Sequence, residues 1–202
     1  MTGDRKFAIS ICGAIIFSMP DSSVLVPCRA SQAKFWATLT LATPMCIDAD
    51  AITLIAAPKQ EVLLKDSVMT PHEGEMRRLI PHEFKQITCR VSLAQIAAKA
   101  MGCVILFKVA DTVIAQPSGA YKIVKSQLFE HAAWLATAGS GDVLSGIITG
   151  LLARGFHALD AAAVGNAFAF TLCRCIWSGL NCRRHPRNAN AGIGTVFIER
   201  SL

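Results

Sequence analysis

The sequence predicts an α/β layered domain with a mainly parallel sheet. Three observations carry that expectation. Short apolar β-runs alternate with helical stretches. The β-runs lack the polar alternation of a sheet with one wet face, so they read as strands covered on both sides. Hydrophobic residues make up 52% of the 202 residues and charged residues 17%, which excludes a disordered chain and calls for a sizeable core. No repeat or low-complexity linker divides the chain, so 1–202 reads as one domain.

In order along the chain, residues 7–17 and 22–27 are strand-like, separated by the turn signal Ser18-Met-Pro-Asp-Ser-Ser23. Arg5 and Lys6 precede the first apolar run as in a signal peptide, but no clear small-residue cleavage site follows Phe17; buried strand is the better reading. Residues 31–41 are weakly helical. Residues 45–48 form a short strand ending in acid, and 49–57 a short helix. Residues 62–69 lead into the loop Thr70-Pro-His-Glu-Gly-Glu75, which opens a helix over 75–79. Ser92 is the expected N-cap of an Ala-rich helix over 92–101, closed by Gly102. Residues 104–107, 111–115 and 121–124 are β-runs, with Pro117-Ser-Gly119 as a turn. A Gly-rich loop then opens a helix over 142–152, Gly155 closes it, and 159–176 form a last apolar helix.

Composition narrows the function classes. The net charge of +6 suits anionic ligands such as nucleotides. The basic cluster Cys182-Arg-Arg-His-Pro-Arg187 has no aromatic interleaving and reads as a solvated tail, so no nucleic-acid partner is expected. No apolar run reaches the roughly 20 residues of a spanning helix, so no membrane partner is expected. Eight cysteines without a Cys-x-x-Cys pair read as thiols in a reducing cytoplasm rather than disulfides or a zinc site.

The segment Leu135-Ala-Thr-Ala-Gly-Ser-Gly-Asp-Val-Leu144 carries the chemistry. Gly139 and Gly141 let the backbone approach a ligand closely. The following helix offers unpaired N–H groups, and together they make an anion site. Asp142 beside a bound polyphosphate would repel it if idle; it becomes useful as a base toward a hydroxyl that attacks phosphorus. For an isolated Gly-Ser-Gly-Asp, a plain helix cap is favoured by roughly three to one. His72 alone is more often a surface histidine, by roughly four to one. Lys108 alone reads as a solvated strand end. Asp48 and Asp50 both suit the cap of the following helix, which is the reading for Asp50, and Glu75 suits the same role.

The segment from Leu135 to Gly155 resembles the signature of the NAD(P)H-hydrate dehydratase family. Three further stretches match in the same order: Cys46-Ile-Asp-Ala-Asp-Ala-Ile-Thr-Leu54, Met69-Thr-Pro-His-Glu-Gly-Glu-Met-Arg-Arg-Leu79 and Val104-Ile-Leu-Phe-Lys-Val-Ala-Asp-Thr-Val-Ile-Ala115. The resemblance covers about 40–170, and four ordered matches are more specific than any one. It implies a ribokinase-like fold. It also implies ADP- or ATP-dependent dehydration of the S form of hydrated NADH or NADPH, with Mg2+ accompanying the nucleotide. Carried over by position, Asp142 is the catalytic base and His72 contacts the hydrated nicotinamide nucleotide. Lys108, Val109, Ala110, Asp111, Thr112 and Gly141 hold the adenine nucleotide. Gly139 and Ser140 complete the anion hole. No resident metal site is implied.

This chain departs from the family pattern in places. Val109 stands where glycine is usual, and a β-branched residue there is expected to tolerate positive φ poorly and to block phosphate. Asn166-Ala-Phe-Ala-Phe170 replaces a segment that usually carries histidine. The Gly-rich opening strand and the Gly-Pro-Gly-x-Gly loop find no match, so the domain reads as N-terminally shortened, with sheet cover supplied by a second copy. The alternatives are a ribokinase-like small-molecule kinase, such as a hydroxymethylpyrimidine kinase, or a weakly catalytic nucleotide-binding remnant.

Overall fold

A computed structural model describes residues 8–12, 15–19, 43–56, 64–126 and 139–181. The strand and helix expected over 22–27 and 31–41 lie outside these residues, as does the Leu135–Ala138 part of the Gly-rich segment.

Seven strands form one sheet in the order β2-β1-β3-β4-β5-β6-β7. They are β1 (Ala8–Cys12), β2 (Ile15–Met19), β3 (Met45–Ile47), β4 (Val68–Met69), β5 (Val104–Phe107), β6 (Thr112–Ala115) and β7 (Tyr121–Val124). The pairs β1–β3, β3–β4 and β4–β5 are parallel. The pairs β1–β2, β5–β6 and β6–β7 are antiparallel. Five strands therefore run one way, with β2 and β6 opposed. The single run expected over 7–17 is in fact two paired strands, with Cys12 opposite Ile15. Both strands are apolar, so an apolar count over 7–17 does not show where one ends and the next begins.

The helices are α1 (Asp50–Ala56), α2 (Glu73–Leu79), α3 (Pro81–Gln86), α4 (Arg90–Met101), α5 (Ser140–Ala153) and α6 (Ala158–Asn181). The β3–β4 connection runs through α1 and the β4–β5 connection through α2, α3 and α4, since two parallel neighbours need a crossover. Helix α4 begins earlier than expected. Its N-cap is Cys89, not Ser92, which lies inside the first turn. Gly102 closes α4 in the left-handed conformation (φ 65°), and Gly155 follows α5 at φ 84°. Helix α3 was not anticipated; its signals are Pro81 in the first turn and Lys85 in the last.

β3 and β5 are buried along their whole length, as the missing polar alternation implied. Alternate side chains feed two cores. Met45, Ile47, Met69, Ile105 and Phe107 pack toward α1, α2 and α4, with Ile52, Met76, Leu93 and Ala97. Cys46, Val68, Val104 and Leu106 pack toward α5 and α6, with Ile148, Leu152 and Ala162. The sheet is thus the middle of three layers.

Candidate functional site at the strand ends

The period of two decides what happens where the strands stop. Ile47 faces the α1, α2 and α4 layer, so Asp48 falls on the α5 side. Phe107 does likewise, so Lys108 follows it to the α5 side and Val109 returns to the first. Helix α5 begins over this edge, the carboxyl end of β3, β4 and β5, where open α/β sheets hold their ligands.

Lys108 Nζ lies 2.6 Å from Asp48 Oδ1. Ser145 Oγ, on α5, donates to Asp48 Oδ2 at 3.2 Å. Asp48 is buried, so its carboxylate ties β3, β5 and α5 together. Asp48 does not cap the following helix: both its oxygens turn to the sheet edge. Asp50 is itself the first residue of α1. Ala49 between them takes φ 52°, a conformation alanine seldom adopts. Thr70 N and Oγ1 both donate to Ile47 O, at 3.0 and 3.3 Å, and close the gap between β3 and β4.

The start of α5 rests directly on this cluster. Gly139 is the N-cap at φ 87°. A Cβ on Gly141 would lie 3.2 Å from Asp48 Oδ2 and 3.7 Å from Lys108 Nζ. A side chain there would crowd the Asp48 carboxylate, which would have to give by a few tenths of an ångström for the helix to sit this close. Ser140 and the exposed Asp142 occupy the first turn. Helix N–H groups, a lysine ammonium and a carboxylate thus share one edge, which suits a polyphosphate and a hydroxyl to be deprotonated.

His72 sits on the neighbouring strand end. It forms a parallel bridge with Lys108, whose N donates to Pro71 O at 2.8 Å. Its imidazole caps α2: Nδ1 accepts from Gly74 N at 2.9 Å and Glu75 N at 3.3 Å. His72 N in turn donates to Glu75 Oε2 at 2.8 Å, completing a capping box. An accepting Nδ1 leaves the proton on Nε2, which faces Glu75 Oε1 at 3.4 Å. Sequence reasoning missed this cap because histidine stood where Ser or Thr is usual; the glutamate three residues on was the signal.

The remaining predicted nucleotide residues spread along the β5–β6 hairpin. Ala110 is exposed at its tip. Asp111 Oδ1 accepts from Ser126 N at 3.0 Å and Oγ at 3.2 Å, pinning the end of β7. Thr112 is buried opposite Val124. The expected conflict at Val109 does not arise. Among the described residues the non-glycine positions with positive φ are Ala49 and Asp66. Val109 packs on the α1, α2 and α4 core, away from the α5 edge.

Among the described residues no group of three or more His, Cys, Asp or Glu side chains could hold a metal ion. Nor is any described helix long and apolar enough to cross a membrane.

The NAD(P)H-hydrate dehydratase family model matches residues 28–183. The chain belongs to this family. A bifunctional NAD(P)H-hydrate repair enzyme of Mycobacterium tuberculosis is 38% identical over 140 residues, which is 67% of this chain and 28% of that enzyme. An ADP-dependent (S)-NAD(P)H-hydrate dehydratase of Neisseria meningitidis is 33% identical over 127 residues, 60% of this chain and 42% of that one. The chain thus spans less than half the length of these relatives. A ribokinase-like superfamily protein of Enterococcus faecalis superposes with a TM-score of 0.54 at 24% identity, covering 76% of this chain and 54% of the other. The fold is accordingly ribokinase-like, as the family motifs implied.

Proposed function

We propose that the protein restores NADH and NADPH by dehydrating the S form of their hydrates, using ADP or ATP. The observation that carries this reading is the junction of α5 with Asp48 and Lys108, where a Cβ on Gly141 would lie 3.2 Å from the Asp48 carboxylate. Its support is the family and the two relatives above, one described as ADP-dependent.

Chemically, hydroxide is a poor leaving group and phosphate a good one. The start of α5 and Lys108 hold the nucleotide phosphates, with Gly139, Ser140 and Gly141 giving the close approach. Ala110 and Asp111, with the backbone of Val109 and Thr112, face the rest of the nucleotide along the hairpin, and His72 contacts the hydrated nicotinamide. Asp142 takes the hydroxyl proton as the oxygen attacks the terminal phosphorus, and AMP or ADP departs. The phosphate ester then loses phosphate and a proton from the adjacent carbon, which restores the ring double bond. Mg2+ accompanying the nucleotide would spread the charge of its phosphates.

The test is recovery of NADH from its hydrate with ADP or ATP. Recovery supports the reading. Absence of recovery, with phosphorylation of a vitamin precursor instead, would move the protein to the kinases; nucleotide binding without either reaction would leave a remnant. Asp142→Asn should abolish turnover and keep nucleotide binding; turnover retained in that variant removes Asp142 as the base. The cytoplasm is the proposed location, in keeping with Cys103, which is buried in the core without a disulfide. Self-association is proposed as well: Val164 and Phe168 stand exposed one turn apart on α6. Light scattering would test it, a monomer at all concentrations excluding it.

A further inference from the structure

Lys108 meets the phosphate site already partnered. Its ammonium lies 2.6 Å from a carboxylate that is only 4% exposed, while Lys108 itself is 25% exposed. A charge pair this close and this buried is poorly screened by water or salt. The carboxylate is itself immobilised, because Ser145 Oγ holds its other oxygen and Gly141 closes over it. Lys108 therefore presents a fixed position and a reduced net charge to an incoming anion.

We propose that Asp48 is a positioning residue that fixes the Lys108 ammonium and limits how tightly it holds a polyphosphate. The inference rests on the nucleotide reading of this edge, not on the identity of the second substrate. A nucleotide held too tightly is stabilised in the ground state without gain in the transition state, and one held by an ammonium free to wander loses transition-state contact. Asp48 prevents both. It keeps Nζ beside the helix start, and it offsets part of the ammonium charge. A carboxylate with a merely structural role would act otherwise: its loss would loosen the edge and weaken anion binding.

The discriminating variant is Asp48→Asn, which keeps the shape and an acceptor for Ser145 but removes the charge. Calorimetry with inorganic tripolyphosphate on the full chain should show the Kd falling on the order of tenfold, since a neutralising charge near the site is gone. Nucleotide-dependent turnover should fall as KM falls, so that kcat and KM drop together. Acylation of lysines, mapped by mass spectrometry, should show Lys108 reacting much faster in Asp48→Asn than in the native chain. An unchanged or raised Kd in a folded variant overturns the proposal, as does a native chain that does not bind tripolyphosphate. If Asp48→Asn does not fold, the native chain still decides: Lys108 must acylate at least several-fold more slowly than the exposed Lys85 and Lys99, and equal rates overturn the proposal. Tripolyphosphate binding and acylation do not involve the hydrate. If both shift as expected while no NADH is recovered, the dehydratase reading fails and this inference stands.

Discussion

Gly141 and Gly146 lie on the same helix in opposite circumstances. A Cβ on Gly146 would meet nothing within 4 Å, whereas one on Gly141 would press on Asp48 Oδ2. Glycine inside a helix costs roughly 0.5–1 kcal/mol relative to alanine. Gly146→Ala should therefore raise stability by about that amount in thermal denaturation. Gly141→Ala should show no such gain and should weaken tripolyphosphate binding. His72→Ala removes the acceptor for two backbone donors at the start of α2 and should cost about 1 kcal/mol. At this scale the sequence was partly legible. The spacing of Gly139, Gly141 and Asp142 indicated an anion site at a helix start, and His72 and Lys108 were singled out. Their actual partners were not legible. Asp48 meets Lys108 sixty positions and Ser145 ninety-seven positions away, and only the sheet order brings such residues together.

Helices α5 and α6 pack through Gly165, whose added Cβ would come within 2.8 Å of Ile148 Cγ1. Ile148 is fully buried, so it has little freedom to yield. Gly165→Ala should destabilise by roughly 1–3 kcal/mol despite alanine's better helix propensity, read as a lower denaturation midpoint at unchanged slope. A stabilised Gly165→Ala would mean that the two helices are not held at this distance. Element types were legible wherever an apolar pattern had clear ends: β5, β7, α5 and α6 fall where composition and the flanking glycines put them. Short, half-exposed α3 carried too few apolar residues to show a period. The hairpin of β1 and β2 was hidden because both strands are apolar. Val109 was misjudged from its β-branch alone; the strand's alternation turns it toward the core and away from the phosphate side.

Across the whole molecule, a sheet covered on both faces leaves thiols deep in the interior. Burial pushes the Cys103 thiol up to about 12, from an ordinary value of 9.0. The folded state therefore keeps its proton where the unfolded chain releases it. Stability from this group is intact below about pH 9 and is lost as pH rises from 9 toward 12, at about 1.4 kcal/mol per unit. Denaturant titrations above pH 9 should show that decline, and Cys103→Ala should make it shallower; identical slopes would contradict it. The layered architecture behind this burial was the most legible property of the sequence, since composition and strand patterning both demand it. The same layering places Asp48, Lys108 and the first turn of α5 on one edge, and the functional account depends on that edge. Its most direct test uses the S hydrate of NADH carrying an oxygen-18 hydroxyl, with ADP or ATP. Phosphorylation of that hydroxyl followed by loss of phosphate predicts nucleotide-dependent NADH with the label in the released phosphate. Label in water, or no NADH formed, would contradict the account.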